Sequence, residues 1–434
     1  MTILWFYLLS LVPVYLVVRR NADFSWMALY FIFNWLGVSV SIFLATFLGA
    51  DLVELGTLAE MNYAAVVFNL ALAGSLFVSF LTYRCLAGVK LADGSVRAIR
   101  SPLRTMERRT FVVFLMITAL IAVWALGATP PLLAGMPVSE YLRSLNSIER
   151  FAFISLAISA LPLSQVVRDL YHRGKIGSKT AFLACLLPAV LWGLAGEKLG
   201  YLLFIFFLTA LPWIDALRRN RRIKLGLVLA AAVTVILTIT QYALTFDDPL
   251  AQFGARIAMQ GQLWYYFYSS SPFLKPLGAG LDVIAGISGQ LTLRTLMEVA
   301  MPVDLFLDYE TASLTGSHLP ALLYASGWAL FPAWVAIFGV LFGISTTLLR
   351  LAVQSASPVT SYLLVACFVF PGVEVWVTGN TSRVLQAPMT FAIFFAMLLP
   401  LLAIRLRLKI KSLVSKSNVE PSISTGVSVS GNSR

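Results

Sequence analysis

Apolar runs of roughly 17–25 residues, the length that crosses a bilayer as helix, follow one another along the whole of this chain. They lie near 2–18, 24–49, 63–83, 111–128, 151–166, 180–195, 200–215, 226–245, 319–349, 359–376 and 385–404. A continuous run cannot alternate lipid-facing and lumen-facing side chains, so a β-barrel is excluded and helices remain. The 434 residues are 59% hydrophobic and 12% charged. With a mean hydropathy of +0.85, that balance fits no water-soluble domain. The expected fold is an all-α polytopic integral membrane bundle of eleven helices. The first run lacks a basic residue before it and a small-residue cleavage site after it, and reads as a span rather than a signal peptide.

Charge orders the connectors. Arg19 and Arg20 follow the first run, "KLADGSVRAIRSPLRTMERR" the third, "RDLYHRGKIGSK" the fifth, "RRNRRIK" the seventh, Arg350 the ninth and "RLRLKIK" the last. The alternate connectors hold only Arg143, Arg150, Lys198, Arg256, Lys275, Arg294 and Arg383, which is 7 of the 32 Lys and Arg. Positive charge stays cytoplasmic. The expected topology therefore has the N-terminus outside and the C-terminus inside. The pI of about 9.7 reports a rim that meets anionic lipid headgroups and calls for no nucleic-acid partner. Residues 1–410 are expected to form the membrane domain and 411–434 a disordered cytoplasmic tail. Cys85, Cys185 and Cys367 lie in or at the ends of apolar runs without metal-ligand or CxxC spacing, so neither a metal nor a disulfide is expected.

The outer connector 246–317 is the largest polar feature. It is rich in aromatic and apolar residues, which argues for short helices packed over the bundle's mouth. In "FGARIAMQGQLWYYFYSSS" (253–271), a helix would align Arg256, Gln260 and Trp264 at spacings of four. A guanidinium fork, an amide and a flat ring suit a sugar phosphate, but the same pattern suits an interfacial helix anchored by aromatics. Arg294 and Glu298, again four apart, form either a local ion pair or a general base whose pKa burial raises. In "LTGSHLPALLYASGWALF" (314–331), Ser317 reads as an N-cap with Pro320 in the first turn. That helix end is expected to face outward and offer N–H groups to an anion. Beside it His318 is a packing residue, an anion ligand or a proton shuttle. Glu374 and Arg383 flank the last outer turn. Glu197 and Lys198 interrupt "LWGLAGEKLGYLLFIF" (191–206), as a hairpin tip or as a headgroup clamp. Lys198, Arg256, Arg294 and Arg383 share the outer side, and a convergent cationic mouth suits a phosphorylated lipid.

"RIAMQGQLWYYF", then "LMEVAMP", then "TGSHLPALLYASGWALF" resemble the O-antigen (oligosaccharide repeat unit) polymerases of the Wzy type. The likeness extends to the layout: many spans, a cytoplasmic C-terminus and one dominant periplasmic loop late in the chain. The resemblance implies a glycosyltransferase of lipopolysaccharide biosynthesis in the bacterial inner membrane, acting without a cofactor. It would join undecaprenyl-pyrophosphate-linked repeat units on the periplasmic side, with a flippase and a chain-length regulator as partners. It implies catalytic roles for Arg256, Glu298 and His318, and substrate contacts from Glu197, Lys198, Gln260, Gln262, Trp264, Arg294 and Arg383. Two other readings stand beside it: a ligase-like glycosyltransferase, and a transporter or flippase of lipid-linked saccharide. Spans nearly free of charge, with the charges gathered at the outer rim, weigh against a flippase.

Overall fold

The computed structural model describes residues 2–48, 51–52, 57–58, 62–88, 101–134, 136, 138–196, 200–214, 236, 240, 260–275, 292–304 and 317–381. These all belong to one compact unit, Met1–Thr390. The expected tail 411–434 lies outside the described residues, as does nearly all of the expected spans at 226–245 and 385–404.

The helices are α1 (Thr2–Arg20), α2 (Ala22–Leu48), α3 (Ala64–Cys85), α4 (Ser101–Leu126), α5 (Val138–Ser144), α6 (Ser147–His172), α7 (Ser178–Leu194) and α8 (Gly200–Ala210). After the long loop come α9 (Gln262–Ser270), α10 (Thr292–Ala300), α11 (Leu319–Gln354) and α12, a span over Pro358–Thr378. The one departure from an all-helical chain, among the described residues, is a two-residue antiparallel ladder pairing Asp51–Leu52 with Thr57–Leu58. Seven described helices are long and apolar enough to cross a membrane: α1, α2, α3, α4, α6, α11 and α12. The regions 178–194 and 200–213 are shorter apolar helices at expected positions. Large apolar side chains face outward without protein cover, such as Trp124 at 82% and Leu120 at 67% exposed on α4. That is the surface lipid would cover.

Local chemistry sets the turns. Asn21 ends α1 and caps α2, its Oδ1 accepting from Asp23 N at 2.9 Å and Phe24 N at 3.1 Å. Asn146 and Glu149 form a reciprocal capping box on α6. Ser357 accepts from Thr360 N at 3.2 Å, with Pro358 in the first turn of α12.

Small residues let the central helices touch. Gly339 and Gly343 of α11 lie four apart against α3, where an added Cβ would come within 2.8 Å of Ser75 O and 2.6 Å of Ser79 O. Ser79 Oγ donates to Gly339 O at 2.8 Å. Buried Asn69 of α3 accepts from Ser39 Oγ at 2.6 Å and donates to Ser10 Oγ at 2.8 Å, tying α1, α2 and α3 together.

α11 is two helices. Gly327, at φ 63° and ψ 177°, breaks it. The rings of His318 and Phe338 stack with centroids 6.0 Å apart. Twenty residues of unbroken helix would hold them about 30 Å apart. The stretch 319–326 therefore doubles back beside 328–354 as a short re-entrant half. Non-helical backbone at such depth must be satisfied by protein. Here the loop after α9 does so: Trp328 N donates to Pro272 O at 3.2 Å and Ala329 N to Phe273 O at 2.9 Å.

Candidate functional site

The re-entrant half carries the first expected site residue inward. Phe338 lies ten residues past Trp328, so His318 sits about 15 Å below the break. The helix end expected to face outward thus faces the bundle interior, a correction forced by the reversal at Gly327. The N-cap residue is His318 itself. Ser317 instead takes a left-handed backbone at φ 64°, its N–H donating to Val377 O at 3.0 Å. Gly379 (φ 87°) makes room, since a Cβ there would lie 2.3 Å from Ser317 O. A strained non-glycine residue beside a buried histidine is the kind of feature that clusters at functional sites.

His318 is fully buried among rings. Trp35 stands 5.5 Å away and Trp376 5.2 Å away, the latter edge-on, and Phe338 stacks at 6.0 Å, itself in contact with Trp376. Trp35 Nε1 donates to Trp376 O at 2.7 Å, locking α2 to the end of α12. Among the described residues neither ring nitrogen of His318 makes a hydrogen bond of normal geometry, although the Trp376 backbone lies close enough to act on the imidazole. Burying an unpaired polar group costs about 1–3 kcal/mol, and a phenyl ring would fill the same space without that cost.

Gln260 also packs against α2, but on a different face, since residues two apart on a helix point away from each other. A Cβ built on Gly37, two residues past Trp35, would lie 3.6 Å from Gln260 Oε1. Gln262 is buried nearby in the chain, and its Oε1 has no partner among the described residues. The turn 374–381 closes the group, with Asn380 N donating to Glu374 O at 3.0 Å. The structure therefore brings His318 and the 374–381 turn together at Trp35, and places Gln260 on another face of the same helix.

Other expected residues stand elsewhere. The helix expected over 253–271 begins only at Gln262, leaving Gln260 in the preceding turn rather than on a face shared with Trp264. Trp264 is fully buried, its Nε1 donating to Ala64 O at 2.8 Å and its ring packed by Phe68 and Phe331. It anchors α9 to the bundle and presents no free face to a sugar. Arg294 and Glu298 are exposed on α10, so the burial invoked to make Glu298 a base is not there. The charge of Glu298 acts instead on Tyr324, at the far end of the re-entrant half from His318. Glu197, Lys198, Arg256 and Arg383 lie outside the described residues.

One cation had no expected role. Lys275 donates to Tyr324 O at 2.8 Å and lies 3.5 Å from the Tyr324 ring centroid. It caps the free carbonyls of the re-entrant half where the helix stops. Partial burial pulls the Lys275 ammonium below the usual lysine range. Among the described residues there is no cluster of metal-ligating side chains. The chain matches no protein-family model, no curated relative and no solved structure.

Proposed function

We propose that this protein is a membrane glycosyltransferase that polymerises undecaprenyl-pyrophosphate-linked oligosaccharide repeat units, working at the periplasmic face of a bacterial inner membrane. The observation that carries the reading is His318: a buried imidazole at a strained turn, with no well-formed side-chain partner among the described residues. In this reading the basic end of the bundle is cytoplasmic, as is the C-terminus, and the N-terminus is periplasmic.

The chemistry needs two things. A hydroxyl of one repeat unit attacks the anomeric carbon of the other, and the bond from that carbon to the pyrophosphate oxygen breaks. The hydroxyl must lose its proton, and the departing pyrophosphate must be stabilised. His318 takes the proton role ahead of Glu298, because its nitrogens make no well-formed hydrogen bond among the described residues while Glu298 is exposed. Arg256, with Lys198, Arg294 and Arg383, holds the pyrophosphate, and Gln260 and Gln262 meet sugar hydroxyls. Arg256→Ala should abolish polymer at normal protein level, and Arg256→Lys should retain only part of it, because the bidentate fork is lost. Full-length polymer from the Ala variant would remove Arg256 from the site.

Transport of the same lipid-linked saccharide is the second reading, and the helix broken at Gly327 favours it, since discontinuous helices line many transporter sites. Null phenotypes separate the readings. Loss of a polymerase leaves a single repeat unit on lipopolysaccharide, whereas loss of a ligase leaves none. Loss of a flippase strands lipid-linked units on the leaflet where they were made.

A further inference from the structure

At the end of the bundle opposite His318, a cavity of about 570 Å³ opens where α2, α4, α6, α11 and α12 start or stop. Its titratable lining is Asp23, Arg108, Arg168, Asp169, Arg173 and Arg350. Among the described residues, four guanidiniums against two carboxylates leave a formal charge of +2 (4 − 2). Nothing in the reading of the His318 site uses this cavity, and the inference below does not depend on that reading.

The four arginines are held in different ways. Asp169 binds Arg108, and Arg173 at 3.1 Å, joining α4 to the last turn of α6. Arg168 donates through Nη1 to Pro212 O. Arg350 donates through Nη2 to Leu86 O at 3.1 Å, its guanidinium 5.0 Å from the Tyr83 ring centroid. The Pro212 carbonyl positions the Arg168 guanidinium but neutralises no charge. The nearby helix end is already satisfied, because Gln165 Nε2 donates to Ala352 O at 2.8 Å and Val353 O at 2.9 Å. The cavity's charge is therefore not absorbed by the C-terminal carbonyls of α11. Arg108 Nε is buried with no hydrogen-bond partner among the described residues.

We infer that this cavity binds a phosphate group, as a dianionic monoester or a phospholipid headgroup. Net charge +2 matches a dianion, and planar guanidiniums pair with phosphate oxygens two at a time. The volume admits a headgroup or a small phosphate ester, and the helix ends that form it are where headgroups would lie if these helices cross a bilayer.

The full-length protein purified in detergent supplies the test. Inorganic phosphate and phosphatidic acid are titrated separately, and lipid carried through purification is read by native mass spectrometry. Arg168→Gln should weaken phosphate binding about tenfold or more, the size of one charged hydrogen bond. Asp23→Asn should tighten it several-fold, because it removes a competing negative charge. Retained phosphatidic acid that Arg168→Gln releases assigns the site to a lipid headgroup. Binding of inorganic phosphate with no retained lipid assigns it to a soluble phosphate ester. If neither probe binds the wild-type protein, or if both variants bind as wild type does, the cavity is an internal ion-pair network and the inference fails. Should Arg168→Gln not fold, Asp23→Asn decides alone, and unchanged affinity there overturns the proposal.

Discussion

A buried histidine whose two nitrogens make no well-formed hydrogen bond among the described residues is costly to keep. Packing alone would favour phenylalanine at position 318, stacked on Phe338 as the imidazole is. His318→Phe should therefore leave protein level and thermal stability at or slightly above wild type while abolishing polymer. Retained activity in a stable His318→Phe protein would reduce His318 to packing. Trp264 is the opposite case. It is an aromatic in an apparently ligand-like stretch that proves to be an anchor, buried with its indole donating to Ala64 O. Trp264→Ala should cost about 3–5 kcal/mol of stability as a large core deletion. Any loss of activity should then track loss of folded protein, which detergent melting curves would separate.

At the scale of elements, the break at Gly327 sets the depth of the site. No L-residue adopts its φ and ψ readily, and a Cβ there would lie 2.7 Å from Pro272 O. Gly327→Ala should destabilise the protein by about 1–3 kcal/mol or more, and should loosen the 271–275 segment, measured by protease cleavage there. Wild-type stability and wild-type protection would mean that the break does not rest on glycine. Lys275 then gives a pH signature. Its pKa is lowered from 10.5 by burial. Between the lowered value and 10.5 the unfolded chain binds more protons than the folded one, so stability rises with pH in that window. Lys275→Met removes this increment. The stability difference between wild type and Lys275→Met should thus shift in favour of wild type as pH approaches 10.5, and a difference independent of pH would contradict the burial of the ammonium.

For the whole molecule, the charge pattern and the helix packing converge. Asp23, Arg108, Asp169, Pro212, Arg350 and Pro358 come from well-separated connectors, yet they line one cavity. Among the described residues, connectors that the alternation of charge assigns to one side thus share one cavity. The sidedness of that cavity is a prediction: reporter fusions at Gly278 and Lys411 should lie on opposite sides of the membrane. A cytoplasmic signal at Gly278 would sink both the topology and the outer-face site.

The sequence by itself determined the class of fold and the approximate places of the described spans. Hydrophobic length marks a span whatever its neighbours are, and Asn21, Asn146 and Ser357 mark turns through bonds to residues two or three away. It also singled out His318 and Gln260 by residue type. Only the tertiary structure decided that both pack against α2 on different faces, and that Trp264 and Glu298 stand apart from His318. The run 319–349 reads as one helix because an apolar stretch looks the same whether it crosses once or folds back. The reversal depends on a single glycine and on carbonyls donated by residues some fifty positions earlier. Contacts of that range follow from packing geometry, such as Trp35 meeting Trp376 across 341 residues of chain, and leave no periodic trace in the sequence.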